Sequence, residues 1–245
     1  MHIEKVVLHP ERYPVQDLYP FNLTAFQKTT VIDFPANITF FAGENGTGKS
    51  TLLKAITRRC GVHIWEDIQK RRVDRNPYLG ALYKYIQVSW KNGVKPGAFF
   101  SAENFLYHTQ CIDDWAAADP RLLDYFGGKS LLSQSHGQAI LGYARARYLR
   151  EGIYFLDEPE TALSPRTQIA FLALLRQMAQ EGHAQFIVVS HSPILLSCPE
   201  AVIYSFDGDR IAPISYEETD YYRVYKAFLE DREKFLLDSP DSIRQ

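Results

Sequence analysis

The run Ile38-Thr39-Phe40-Phe41-Ala42 is apolar almost throughout, stops at a glycine and gives way to a polar, Gly-rich loop. From Ser50 through Ile56 the apolar positions recur at helical spacing, so this stretch predicts strand, loop and helix in succession. Two more apolar runs, Gly152-Ile153-Tyr154-Phe155-Leu156-Asp157 and Ala184-Gln185-Phe186-Ile187-Val188-Val189-Ser190, read as buried strands with a helix over 166–181 between them. Parallel strands need a crossover, and a helical crossover covers one face, so the pattern implies an α/β fold with a parallel, helix-covered sheet.

Between about 60 and 130 the pattern loses its regularity. Charges cluster over 66–75, prolines stand at Pro77, Pro96 and Pro120, and aromatic residues are frequent, so this interval is expected to form an inserted helical or irregular lobe. After Val202-Ile203-Tyr204-Ser205-Phe206, the turn Asp207-Gly208-Asp209 predicts a strand pair, followed by an acidic helix over 219–237.

Composition sets limits on this picture. A chain of 245 residues with 46% hydrophobic and 23% charged content suits one globular domain, 1–245, with the lobe inserted in it. The formal net charge of -2 creates no global basic field, so capture of nucleic acid is not supported by charge, although a local patch stays open. Cys60, Cys111 and Cys198 are odd in number and far apart, as expected of reduced thiols in a cytoplasmic protein. No apolar stretch approaches the roughly 20 residues that span a bilayer. The 13% aromatic content serves core packing or a partner surface.

The loop Gly43-Glu44-Asn45-Gly46-Thr47-Gly48-Lys49-Ser50 has the Walker A spacing, in which glycines let backbone N–H groups close around phosphate oxygens. Lys49 is expected on the β- and γ-phosphates and Ser50 on Mg²⁺, with Thr51 completing the ATP-binding stretch. Ile153-Tyr154-Phe155-Leu156-Asp157-Glu158 carries two adjacent carboxylates to a strand end, the Walker B arrangement. There Asp157 is expected to serve the metal and Glu158 to polarise the attacking water.

In order, these motifs resemble the ABC-type ATPases over about 38–196, and in form the single-chain members near the chromosome-maintenance and repair branch. The resemblance implies a P-loop NTPase head with antiparallel β elements at its N-terminus. Leu132-Ser133-Gln134-Ser135-His136-Gly137-Gln138 resembles the signature loop, with Ser135, Gly137 and Gln138 matching and His136 replacing a small residue. Its serine implies contact with the γ-phosphate across an ATP-dependent homodimer. Glu160-Thr161-Ala162-Leu163-Ser164-Pro165 stands where the family has its D-loop, and His191 resembles the catalytic switch histidine at a strand end. Gln87 after Tyr85-Ile86 and Glu103 after Ala98-Phe99-Phe100-Ser101-Ala102 each end a short apolar strand and fit the metal-contacting Q-loop position, with Glu103 preferred. An aromatic that stacks on adenine is expected among Tyr13, Tyr19 and Phe21.

The leading expectation is an ATP-gated dimer that switches an unidentified partner, because the interval 51–135 is too short for long coiled-coil arms. A transporter's nucleotide-binding subunit shares every core motif, though its signature loop is ordinarily closer to Ser-Gly-Gly-Gln. A small-molecule phosphotransferase needs only the P-loop. A silent nucleotide-binding module is disfavoured by intact Lys49, Asp157 and Glu158.

Overall fold

A computed structural model of the chain describes residues 1–65, 76–126 and 128–237. The charged stretch 66–75 singled out above lies outside them. Six strands form the main sheet in the order β5-β6-β7-β3-β8-β9: β3 (Ile38–Ala42), β5 (Gly97–Ser101), β6 (Gly152–Asp157), β7 (Ala184–Val189), β8 (Val202–Ser205) and β9 (Ala212–Ile214). All neighbours are parallel except β8 and β9, which the Asp207-Gly208 turn folds back on each other. A second, antiparallel sheet of β1 (Ile3–Leu8), β2 (Val31–Asp33) and β4 (Ile86–Trp90) has the order β2-β1-β4.

The central strands are apolar at successive positions because both faces are covered. On one face, Phe40, Leu156, Phe186 and Val188 pack with Phe171 and Leu175 of helix α5 (Pro165–Gln180) and with Ala139, Ile140 and Tyr143 of α4 (His136–Tyr148). On the other, Phe41, Phe155, Ile187 and Val189 meet Leu52, Leu53 and Ile56 of α2 (Lys49–Arg59), together with Ile3, Val6 and Ile32 of the antiparallel sheet. Alternate strand residues thus feed two different cores. Phe40 and Phe41 are each fully buried on opposite sides.

The interval expected as one inserted lobe is divided. Residues 86–90 form β4 and 97–101 form β5, so this stretch belongs to the two sheets. A 3-10 turn over Leu82–Tyr85 precedes β4, and further helical structure follows β5 in α3 (Phe105–Ala118), short 3-10 turns and α4. The apolar runs before Gln87 and Glu103 read as strands, but Asn92-Gly93 and Pro96 interrupt the interval and each strand has one strand neighbour among the described residues, so their place in two sheets was hidden.

Candidate functional site

Strand register assembles the site. In the pairing of β3 with β7, Phe41 stands opposite Val189; Asp157 of β6 stands opposite the same Val189; and Ala42 stands opposite Ser205 of β8. Residues just past these positions, Gly43, Glu158, His191 and Asp207, therefore emerge side by side at the carboxyl edge of the sheet, where parallel α/β folds place their ligands.

The loop that follows β3 needs glycine at three points. Gly43, Gly46 and Gly48 have φ of 142°, 86° and 99°, a region closed to most L-residues. At Gly48 a Cβ would lie 2.7 Å from Leu23 Cδ1 and Phe26 Cζ, so the turn into α2 leaves no room for one. Lys49 is buried and its Nζ donates to the carbonyls of Gly43 (2.6 Å) and Glu44 (2.7 Å), closing the loop on itself. Burial pushes its ammonium pKa down, against the opposing pull of Asp207, Glu158, Glu44 and Asp157. A desolvated cation held among carbonyls and carboxylates is poised to accept a phosphate.

Asp157 ends β6 beside α2, with Oδ2 3.6 Å from Lys54 Nζ and the Ser50 side chain near enough to oppose the rise in its pKa. Its Oδ1 is buried without a hydrogen-bond partner among the described residues, and burial raises the carboxyl pKa. A buried, unpaired carboxylate oxygen next to a serine hydroxyl fits a divalent cation with hard oxygen ligands. Among the described residues no three His, Cys, Asp or Glu side chains converge, so this pair would rely on phosphate and water for the remaining ligands.

Glu158 adopts a left-handed conformation, φ 49°, unusual for a residue with a Cβ, as its N–H donates to Val189 O at 3.0 Å. This turn presents its carboxylate to the edge, where Oε1 lies 3.3 Å from His191 Nε2. His191 is fixed from three sides. Its backbone N–H donates to Glu160 Oε1 (2.5 Å), its Nδ1 bonds the Tyr221 hydroxyl, and its Nε2 meets Glu158. Burial and then the charge of Lys49 lower its pKa, while Glu158 raises it.

Of the two Q-loop candidates, Glu103 stands two residues beyond Ser101, which is the register partner of Asp157. Gln87 lies exposed in β4 of the other sheet, opposite Val7, and is not brought to this edge. Among the aromatic candidates, Phe21 is fully buried in the core and Tyr13 packs on it at 4.7 Å, so both serve packing. Tyr19 hydrogen-bonds Thr51 on the first turn of α2, next to the phosphate loop. Ser135 caps α4, accepting from the Gln138 N–H at 3.4 Å, and both side chains are exposed. At Gly137 a Cβ would lie 3.2 Å from Thr167 Cγ2 of α5, a tight contact that asks that side chain to shift slightly. No hydrogen bond joins Ser135, Gly137 or Gln138 to the phosphate loop among the described residues.

Two protein-family models, both described as an AAA domain, match residues 21–70 and 130–197, the second within a group named for a Type IV TA system. They fall on the phosphate loop and on the stretch holding Ser135, Asp157, Glu158 and His191. The chain belongs to the ABC superfamily of ATPases. It is 30% identical over 188 residues to the ribose import ATP-binding protein RbsA 1 of Burkholderia cenocepacia, covering 68% of this chain but 36% of that protein. This ABC chain thus spans about a third of the length of the ribose import proteins it matches. Against the zinc import ATP-binding protein ZnuC of Histophilus somni it is 26% identical over 189 residues, covering 75% of this chain and 69% of that one. A solved SmcHead, bound to the C-winged helix domain of ScpA, shares the ABC fold with a TM-score of 0.53 at 12% identity, over 89% of this chain and 99% of that chain.

Three residues of the ABC site escaped the motif reading, and Glu160 was read only as the start of the D-loop. Lys54 faces Asp157, and Glu160 holds the His191 backbone. Asp207 accepts from the Glu44 N–H at 2.6 Å, and Tyr221, on α7 (Asp220–Glu230), donates to the Gly43 carbonyl at 2.8 Å. Asp207 read only as a turn residue, although it lies just past the end of a strand adjacent to β3. Nothing in the sequence around Tyr221 signalled its partners.

Proposed function

We propose that the chain binds ATP with magnesium and hydrolyses it to ADP and phosphate, cycling between an ATP-bound homodimer and separate chains to switch a protein partner in the cytoplasm. The observation that carries this reading is the convergence of Lys49, Asp157, Glu158 and His191 at one sheet edge, from three neighbouring parallel strands. Lys49 leaves the Gly43 and Glu44 carbonyls and neutralises the β- and γ-phosphates, and the loop N–H groups cradle them. Ser50 and Asp157, with Glu103, hold magnesium. A magnesium ion held there would supply positive charge against that developing on the phosphates. Glu158 orients the attacking water and accepts its proton, and His191, held facing Glu158, contacts the γ-phosphate. Tyr19 stacks on adenine. Ser135, Gly137 and Gln138 complete the site of the second chain, a role supported by their exposure at the N-terminus of α4.

The test is phosphate release at saturating ATP and magnesium by the unaltered chain and by Lys49→Ala. Turnover in the first and loss of both turnover and tight ATP binding in the second is the expected result. Wild-type ATP affinity in Lys49→Ala sinks the assignment.

The names of the import ATP-binding proteins among the relatives favour a second reading, a nucleotide-binding subunit that docks a membrane protein. No described helix is long and apolar enough to cross a membrane. Co-purification with a membrane-spanning protein would promote it over the dimeric switch.

A further inference from the structure

The phosphate loop and the switch histidine come from different strands, yet one side chain outside both touches each of them. Tyr221 sits on the first turn of α7, near the N-cap Thr219, whose hydroxyl accepts from the Tyr222 N–H at 3.3 Å. Its hydroxyl donates to Gly43 O at 2.8 Å and bonds His191 Nδ1, and its ring meets the imidazole edge-on, with centroids 5.2 Å apart.

The hydrogen count settles the tautomer. A phenol has one proton, and the Gly43 carbonyl can only accept, so Tyr221 spends its proton there and its oxygen must accept from His191 Nδ1–H. Nε2 is thereby left facing Glu158. The phenol keeps that proton throughout the neutral range, because burial and then the nearby carboxylates of Glu44, Asp207, Glu158 and Glu160 raise its pKa.

The Gly43 carbonyl matters for a second reason. It accepts from both Tyr221 and Lys49, and Lys49 must let go of it to reach a phosphate. A carbonyl has two lone pairs, and with Tyr221 in place one stays occupied when the lysine leaves. An exposed-to-buried polar group left unpaired is costly, so the phenol lowers the penalty for releasing Lys49.

We propose that Tyr221 is a positioning residue of the nucleotide site, holding the Gly43 end of the phosphate loop during Lys49 release and locking His191 in its Nδ1–H tautomer. The proposal rests on the ATPase reading above. It makes α7, a helix with no fully buried side chain, part of the catalytic apparatus through one hydroxyl.

Tyr221→Phe keeps the ring and removes only that hydroxyl. With magnesium-ATP as the probe, its Kd is expected to rise roughly 3- to 10-fold, the loss of one neutral hydrogen bond. Its kcat is expected to fall roughly tenfold, as His191 loses its fixed orientation. In a His191→Ala background the same change should weaken binding as before but leave kcat unaltered, a coupling that a merely structural tyrosine does not produce. Tyr222→Phe, one residue along the same helix, serves as control and should change neither constant.

If the unaltered chain neither binds nor turns over magnesium-ATP, the ATPase reading fails. If it does both and Tyr221→Phe matches it, or the kcat losses of Tyr221→Phe and His191→Ala simply multiply, the inference about Tyr221 alone fails. A Tyr221→Phe melting temperature lowered well below that of Tyr222→Phe would reduce the residue to a structural role and also overturn it.

Discussion

His191 Nε2 lies 3.3 Å from Glu158 Oε1, just past the carboxyl ends of two parallel strands that pair along their whole length. With Nδ1–H committed to Tyr221, this contact is attractive when a proton sits on Nε2 and repulsive when it does not. Burial and Lys49 drive the imidazole toward neutrality, and Glu158 draws it back. The pair therefore responds to any charge brought to Lys49, which lies within electrostatic reach of both. A bound triphosphate that engages Lys49 relieves the positive field on His191 and strengthens its hold on a proton.

Glu158→Gln retains the shape and reach of the side chain but cannot take a proton from water. Turnover is expected to fall by the roughly 10²- to 10⁴-fold that a general base supplies, with ATP binding intact. Because Lys49, Ser50 and Asp157 are untouched, an ATP-bound dimer should accumulate. Phosphate release combined with light scattering at saturating ATP and magnesium reads both effects. Near-normal turnover removes Glu158 from its role, and lost turnover without a dimer removes the dimeric switch while sparing the ATPase.

Ser135 is exposed at the cap of α4, so a large charged replacement meets no packed core. Ser135→Arg is expected to bind ATP with unaltered affinity as a separate chain and to fail to dimerise. Sizing chromatography with ATP distinguishes the outcomes. A dimer peak matching that of the unaltered chain counts against a role for Ser135 across the interface.

Glu160 gives stability a pH dependence with a definite sign. Its carboxyl is partly buried, one oxygen is buried without a hydrogen-bond partner among the described residues, and burial raises its pKa above the ordinary value of 4.5 despite the bond from the His191 N–H. As pH climbs past 4.5 the unfolded chain releases this proton first, so stability declines until the raised folded-state pKa is passed. Below that window both states are protonated and the contribution is constant. Glu160→Gln, which can still accept from the His191 N–H, should flatten this part of the melting-temperature profile. Profiles that run parallel for the two proteins would mean that Glu160 titrates normally.

Much of the fold was legible because the central strands are buried on both faces. Ile153 to Leu156 and Phe186 to Val189 must be apolar at every position, and such runs with a helix between them admit few arrangements. β4 and β5 were legible only as short apolar strands before Gln87 and Glu103, not as members of two different sheets. Each has a partner strand on one side only and tolerates polar residues such as Gln87 and Ser89, so their pattern resembled that of a lobe.

Lys49, Ser50, Asp157, Glu158 and His191 could be named from the chain alone, because phosphate and metal chemistry demands particular residue types at short fixed spacings: a glycine loop before a lysine, paired carboxylates at a strand end. Asp207 and Tyr221 carry no such local signature. Asp207 meets Glu44 across 163 residues and Tyr221 meets Gly43 across 178. Contacts at that separation depend on strand order, here β3 between β7 and β8, and on where α7 returns over the sheet edge. Local spacing determines which groups can do the chemistry; only tertiary packing decides which distant side chains hold them in place, since a hydrogen bond requires two groups within about 3 Å, whatever their distance along the chain.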